Sequence, residues 1–590
     1  MTGRTLFRAL GALSLVSALA LAAVLLLGRD PAFHARLLAW NVGGWPDAAF
    51  EGTYPAARSY RALLEISAAL ALSLPLFLAM RRRGRDDGTA ALRALLAAAL
   101  LAGALLRIDL WWTKGFWIDS CALQAGLRTH SFREIMSGPL GFGQSAPVGF
   151  CLLEKAVGEL SGWSPRALTL PVLLAGLATL ALVPLAVARA GAPRFAAPAA
   201  LLVAVSAQLV YYSAEFKQYG IDAFFAALSL LAAVELGAGR RPRALLAAVF
   251  VLGPLFSHTQ FFILSGLGLA LLLAAVRRDG AWHRSSRPDA ALLLLCGGAG
   301  GAATLLSYTH TAATMPGIMD TFWAAAFPPR DSVGAFFRWW AEKALLFFRD
   351  PFAVLPVPRT VSWPGLPLFL PVPALVLLGA IPRPGDRRRV RAAALAGASA
   401  LALLVVAAAL RKWPVRVGTD SAVESRHLVF LLPWAFAFLA LGLDRLRARC
   451  LPLAAAVAIA AAPVGFARLL ADRIYAWSMP SAVEELAVRA SGGAPILLGG
   501  YHHAAAMACK PDWFADNESR IEILDPDDPA PFAARLDELA ASGGQFWTLW
   551  FPRGKEGRIL PGLFARHLPG RRADFSKKTP AGVLQHFPGD

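Results

Sequence analysis

The chain has 590 residues, of which 57% are hydrophobic and 16% charged, and its mean hydropathy is +0.52. Those values exclude an ordinary soluble globular protein and call for a bilayer as solvent. A formal charge of +19 would suit nucleic-acid binding if the basic residues were gathered on one soluble domain, but most lie in short runs between apolar stretches.

Apolar stretches long enough to span a hydrocarbon core number about thirteen. In chain order they run Leu6–Leu27, Leu63–Met80, Ala91–Leu106, Ala167–Ala188, Phe195–Tyr212, Ile221–Leu236, Ala244–Phe256 and Phe261–Val276. Ala290–Leu306, Leu366–Ile381, Ala392–Leu410, Leu428–Leu443 and Leu451–Phe466 complete the set. The pair split by Ser257-His258-Thr259-Gln260 reads either as two helices or as one long broken helix. The first stretch resembles a signal peptide but runs into Gly28-Arg29-Asp30 without a small-residue cleavage site, and is expected to stay as a first helix with a cytoplasmic N-terminus.

Alternating from that start, the basic runs at Arg81, 189–194, Arg240, 277–287, 383–391 and 445–449 all fall on the cytoplasmic side, as the positive-inside rule requires. Nucleic acid is therefore not an expected partner. The same alternation puts 28–62, 107–166, 213–220, 309–365, 411–427 and everything after Phe466 outside. Segments 107–166 and 309–365 are too long for mere connections. The first carries an aromatic cluster of Trp111, Trp112, Phe116 and Trp117 and short helices near Phe132–Met136 and Gly149–Leu160. The second holds an amphipathic stretch, Val333–Phe348, suited to lying on a membrane surface.

Beyond Phe466 hydropathy falls, and strand candidates at Ile496–Leu498, Ile521–Leu524, Phe546–Phe551 and Val583–Gln585 alternate with helix candidates at Ala482–Ala490, Pro531–Ala541 and Ile559–His567. This predicts a small outer α/β domain. The expected organisation is an N-terminal unit 1–106, a membrane core 107–466 and the extramembrane domain 467–590. Cys121 and Cys151 would share an oxidising compartment, which allows a bridge between them. His502-His503 reads as part of a solvated loop, because adjacent side chains seldom share one metal.

Three outer segments carry candidate chemistry. Asp119 follows the aromatic cluster, where an acid at a water–lipid boundary can orient or deprotonate a hydroxyl acceptor. Gln144 lies in the Gly/Pro-rich turn before a helix and offers an amide to a sugar hydroxyl. Tyr211-Tyr212-Ser213-Ala214-Glu215-Phe216-Lys217-Gln218-Tyr219 packs an acid, a cation and three phenols between two spans, and a Lys at that depth either neutralises a phosphate or snorkels to headgroups.

With these motifs in order, 107–466 resembles the GT-C membrane glycosyltransferases, specifically glycosyltransferase family 39, the relatives of protein mannosyltransferases and aminoarabinose transferases. The likeness rests on Trp117-Ile118-Asp119, Gly143-Gln144-Ser145-Ala146-Pro147, the run Tyr211 to Tyr219, Ser257-His258, and Arg426 ahead of Leu432-Pro433. It departs at Ser120, where the family places a second acid; nearby Glu134 and Asp109 are the candidates to substitute for it in space. The resemblance implies a GT-C-like polytopic fold and transfer of a sugar from a polyprenyl-phosphate donor to a glycan, lipid or protein acceptor at the outer face of a bacterial-type inner membrane. Asp119 would be the catalytic acid, Lys217 and Arg426 would hold the departing phosphate, and Glu215 would position Lys217. Gln144, Tyr219 and His258 would bind donor or acceptor. No metal is required on this reading, although a divalent cation is compatible with it. A catalytically silent glycan-binding relative, favoured by Ser120, and a lipid or solute transporter are the alternatives.

Overall fold

The computed structural model describes residues 88–113, 116, 118–138, 140, 144–240, 242–276, 287–314, 326–349, 371–381, 387–415, 424–445, 482–490, 493–524, 529–550, 554–579 and 582–589. The stretches Leu6–Leu27, Leu63–Met80 and Leu451–Phe466 lie outside the described residues. Helix α1 (Gly88–Thr113) leads into α2 (Ile118–Thr129), α3 (Phe132–Ser137) and α4 (Val148–Ser161). Next come α5 (Pro165–Arg189), α6 (Ala196–Val205), α7 (Ala207–Tyr211) and α8 (Tyr219–Gly237). They are followed by α9 (Arg243–Phe256), α10 (Gln260–Val276), α11 (Arg287–Thr314), α12 (Val333–Arg349), α13 (Pro371–Ala380) and α14 (Arg387–Ala409). A 3-10 turn, Glu424–Leu431, opens α15 (Leu432–Arg445).

Among the described residues, Pro165–Arg189, Tyr219–Gly237, Arg388–Ala409 and Arg426–Arg445 are long and apolar enough to cross a membrane. Helix α8 is the hub of this bundle, packing against α5, α14, α10, α15 and the Glu424–Leu431 turn. Its small, apolar face (Ala223, Ala226, Ala227, Ala232, Ala233) lets the neighbours approach closely, as is usual for helices packed in lipid.

One expectation for this region is corrected and one open reading is decided. Phe195–Tyr212 is not one continuous helix, because Ser206 is extended (φ −67°, ψ 112°) and separates α6 from α7. The break frees carbonyls at the end of α6, and the fully buried Arg107 takes one of them: its guanidinium donates to the Val203 carbonyl at 2.9 Å and to the Gly103 carbonyl at 2.9 Å. Helix α1 accordingly runs past Leu106 to Thr113. The stretch 244–276 is two helices, with Ser257 extended (φ −148°, ψ 114°) between them. Pro254 lacks the N–H that would continue the α pattern, and the preceding turn, Ala248–Leu252, widens to π geometry.

After the helix at 482–489, called α16, the C-terminal part builds β1 (Ile496–Gly499), α17 (Gly500–Cys509), α18 (Pro511–Asn517), β2 (Ile521–Leu524), α19 (Ala530–Ala541), β3 (Phe546–Trp550), α20 (Gly554–His567), β4 (Phe575–Thr579) and β5 (Gly582–Phe587). The sheet order is β2-β1-β3-β5-β4. Strand β1 pairs in parallel with β2 and β3, with Ile496 opposite Ile521 and Trp547, and β5 is antiparallel to β3 and β4. His502-His503 is not a loop but the first turns of α17, and His502 is fully buried. Cys121 and Cys151 are both buried, and no disulfide joins them.

The C-terminal sheet shares one hydrophobic core with the 116–175 helices. Leu123, Leu127, Ile135 and Phe150 pack in the same cluster as Ile496, Leu498, Ala505, Ala506 and Leu549, and α17 lies directly on α2.

One buried group in this layer is unbalanced. Glu154 on α4 is wholly buried, and among the described residues neither carboxyl oxygen has a hydrogen-bond partner. Burial holds its carboxyl well above the ordinary carboxylate value, so the folded chain keeps a proton there that the unfolded chain has lost once the pH passes 4.5. The stability carried by that proton is complete below pH 4.5 and is lost as the pH rises towards the folded value. We expect Glu154→Gln in detergent to flatten the fall in melting temperature as the pH rises above 4.5. A variant with the wild-type slope would contradict this. For Arg107→Met we expect a lower melting temperature, equivalent to about 1–3 kcal/mol, because the Val203 carbonyl loses its donor; an unchanged midpoint would contradict the capping role.

Candidate active site at the ends of two spans

The bend 213–218 between α7 and α8 is held from behind by an aromatic clasp. Phe216 is fully buried, stacked on Phe116 (5.1 Å between centroids, 9° between planes) and tilted against Phe150 at 6.2 Å. With Phe216 pinned into the core, the flanking Glu215 and Lys217 face a small cleft. Two close approaches make the bend possible. A Cβ on Gly176 of α5 would stand 2.1 Å from the Ser213 Oγ, and one on Gly220 of α8 would stand 2.4 Å from the Tyr212 carbonyl oxygen. Both positions need glycine for room rather than for backbone conformation.

The cavity is lined by Asp119, Tyr211, Tyr212, Glu215, Lys217, Tyr219 and Arg426. Asp119 lies in the first turn of α2, not in a loop, and α8 and the Glu424–Leu431 turn deliver Tyr219 and Arg426 at the points where two spans begin. Arg426 Nη1 donates to Asp119 Oδ2 at 2.9 Å, with side-chain exposures of 17% and 27%, so the pair is only partly open to solvent. Burial draws the Asp119 carboxyl upward, but Arg426 and Lys217 outweigh it and hold the group below the ordinary carboxylate value. Lys217 shows the reverse balance: burial lowers its ammonium below the ordinary value in spite of Asp119 nearby.

Ser120 faces the same site. Its hydroxyl donates to the Glu215 carboxylate, and Lys217 Nζ donates to the Gln144 amide oxygen. The sequence reading makes Glu215 the partner that positions Lys217; in the structure these side chains are anchored by Ser120 and by Gln144. The residue standing where a second acid is expected therefore grips an acid from another segment. Glu134 does not fill that place: it is exposed and forms a capping box with Ser131 at the start of α3. Asp109 falls within α1.

The structure thus brings Asp119, Glu215, Lys217, Tyr219 and Arg426 together, with Gln144 reaching Lys217 from behind. His258 lies in the bend between α9 and α10 and is not part of the cavity wall. Its neighbours Ser257 and Thr259 instead donate to the buried Asp222 on α8. Sequence reasoning passed over Tyr211 and Tyr212 as site residues, although their motif was visible. The rings of Tyr211, Tyr212 and Tyr219 form an edge-to-face series at 5.1 Å per step, and Tyr219 meets His427 at 5.9 Å. Burial pushes the Cys151 thiol up to about 12, so it offers no thiolate to the site.

No family model matches this chain, and no curated protein matches it in sequence. Among solved structures it is similar to ArnT from Cupriavidus metallidurans in the apo state, at 12% identity and a TM-score of 0.48, covering 84% of this chain and 98% of that one. It is similar to the same protein bound to undecaprenyl phosphate at 12% identity and a TM-score of 0.49, with the same coverage. The Archaeoglobus fulgidus oligosaccharyltransferase in complex with Zn and sulfate follows at 14% identity and a TM-score of 0.44, covering 84% of this chain and 73% of that one. Likeness at this level carries no argument about function, which rests on the geometry above.

The tight contact at Gly176 yields a direct test. Gly176→Val should displace the 213–218 bend and lower the melting temperature by an amount equivalent to about 1–3 kcal/mol. A variant that melts with the wild type would show that the bend does not depend on that approach.

Proposed function

We propose that this chain is a membrane glycosyltransferase that moves a sugar from a polyprenyl-phosphate-linked donor to an envelope glycan, lipid or protein acceptor at the outer face of the inner membrane. The supporting observation is the Asp119–Arg426 pair with Lys217 in one cavity where two spans begin. That position suits a substrate with an isoprenoid tail in the bilayer and a polar head at its surface.

In this reading the acceptor hydroxyl attacks the anomeric carbon of the sugar. A bond forms from the acceptor oxygen to that carbon, the bond from the carbon to the phosphate oxygen breaks, and its electron pair leaves with the phosphate. The acceptor proton passes to the Asp119 carboxylate, which acts as general base. Negative charge grows on the departing phosphate, and Lys217 and Arg426 stabilise it without need of a metal ion. Gln144 holds the Lys217 ammonium in place, and Ser120 holds the Glu215 carboxylate beside the base. Tyr219 presents its phenol to the substrate from the cavity wall.

The test is made in cells. Deletion of the gene should change envelope glycan or lipid composition by mass spectrometry, and wild type should restore it. Asp119→Asn should fail to restore it, with turnover reduced by a factor on the order of 10² to 10⁴, as removal of a general base implies. Full restoration by Asp119→Asn would leave a catalytically silent binding protein as the better reading.

A further inference from the structure

The proposed roles of Asp119 and Arg426 conflict in the structure as it stands. A base should have its carboxylate open to the acceptor, and a phosphate-holding cation should have its guanidinium open to the donor. Here each engages the other at 2.9 Å. The wall carries two carboxylates, Asp119 and Glu215, and two cations, Lys217 and Arg426, so the ionised groups already balance. A phosphate entering this enclosed site adds negative charge where two anions are present, and such an imbalance is strongly unfavourable in a poorly solvated cavity.

One exchange of partners supplies the entering phosphate with a cation. Glu215 is anchored by Ser120, and Lys217 is anchored by Gln144, whereas the bond of Asp119 to Arg426 joins two segments 307 residues apart. An anion that takes Arg426 removes the chief partner that suppresses the basicity of Asp119, and at the same time places a negative charge beside it. Both effects raise the affinity of Asp119 for a proton.

We infer that the Asp119–Arg426 ion pair is a latch opened by the donor: the carrier phosphate displaces Asp119 from Arg426, and only the displaced carboxylate serves as base. This inference rests on the transferase reading above. It fixes the order of events, because the acceptor is activated only after the donor head group is seated. An acceptor arriving at the empty site meets a carboxylate already engaged by Arg426.

The latch makes a prediction opposite to the usual effect of removing a site residue. Asp119 competes with the phosphate, so its neutral analogue should improve binding. Full-length protein in detergent is titrated with undecaprenyl phosphate, and with phosphatidylglycerol in a parallel arm. Asp119→Asn should bind undecaprenyl phosphate roughly fivefold to tenfold more tightly than wild type. Asp119→Glu, which keeps the charge, should bind within about twofold of wild type, and Arg426→Gln should lose more than about tenfold. Asp119→Ala repeats the neutral substitution, and the melting temperature and elution profile of each variant report folding. Equal or weaker binding by both folded neutral variants would overturn the latch while leaving the transferase reading in place. An equal gain for phosphatidylglycerol would also overturn it, because the displacing anion would then be any lipid phosphate. Absence of undecaprenyl phosphate binding by wild type and both neutral variants would remove the donor reading and the latch with it.

Discussion

Two carboxylates and two cations in one small, poorly solvated cavity must balance, and that constraint explains why the chain is drawn together as it is. An unpaired charge at such depth is costly enough to shift its own protonation or unfold its surroundings. Asp119 on α2 is therefore matched by Arg426, which arrives from far along the chain at the head of α15. Lys217 stands between Asp119 and Glu215 electrostatically and directs its ammonium to Gln144. The bend carries an acid and a cation together, Glu215 and Lys217, whereas Asp119 and Arg426 come from separate segments and balance only each other. Charge balance is reached only when α2, the 213–218 bend and the Glu424–Leu431 turn are all in place, so the site depends on the folded bundle rather than on a local motif.

The scaffold holds those three segments from the apolar side. Phe216 is the anchor of the bend, and burying a side chain of that size stabilises by about 1.5–3 kcal/mol. Its neighbours Phe116 and Phe150 belong to the layer that also includes β1, β3 and α17. The bend is thereby clamped between the membrane bundle, through Gly176 and Gly220, and the α2–α4 layer, through Phe216. Alternation along the bend does the rest: the apolar residue faces inward while the charged residues on either side face the cavity.

Much of this was legible in the sequence, for physical reasons that differ by region. Amphipathic and apolar runs revealed α5, α8, α12 and α14 within a few residues, because length and composition are strong signals for lipid-facing helices. The break at Ser206 was not visible, since Ser alone does not stop a helix and the donor that meets the Val203 carbonyl there comes from Arg107 on another helix. Strand β4 reads Phe-Ser-Lys-Lys-Thr, too polar for an apolar-run search, yet it is an edge strand, where lysines suit exposed backbone. At the site, Asp119, Glu215, Lys217 and Arg426 stood out individually as charges beside apolar spans. Their pairing did not, because the bond from Arg426 to Asp119 and the grip of Ser120 on Glu215 join residues far apart in sequence.

Ser120 shows how a local loss and a tertiary gain are distinguished. Read along the chain, a hydroxyl in place of an acid looks like loss of function. Read in space, that hydroxyl is a donor, and an anionic side chain cannot donate to another carboxylate unless one of the two is protonated. A carboxylate at position 120 would set two like charges against each other in a buried site already holding Asp119, whereas a serine lets Glu215 approach and fixes its orientation. The cavity thus holds two acids that come from two segments, Asp119 from α2 and Glu215 from the bend. Because Glu215 lies in the segment that carries Lys217, its register is set by Phe216 and not by the first turn of α2. Any movement of the bend therefore moves an acid and a cation together and preserves the charge balance, which leaves the Asp119–Arg426 contact as the interaction that can open without dismantling the rest.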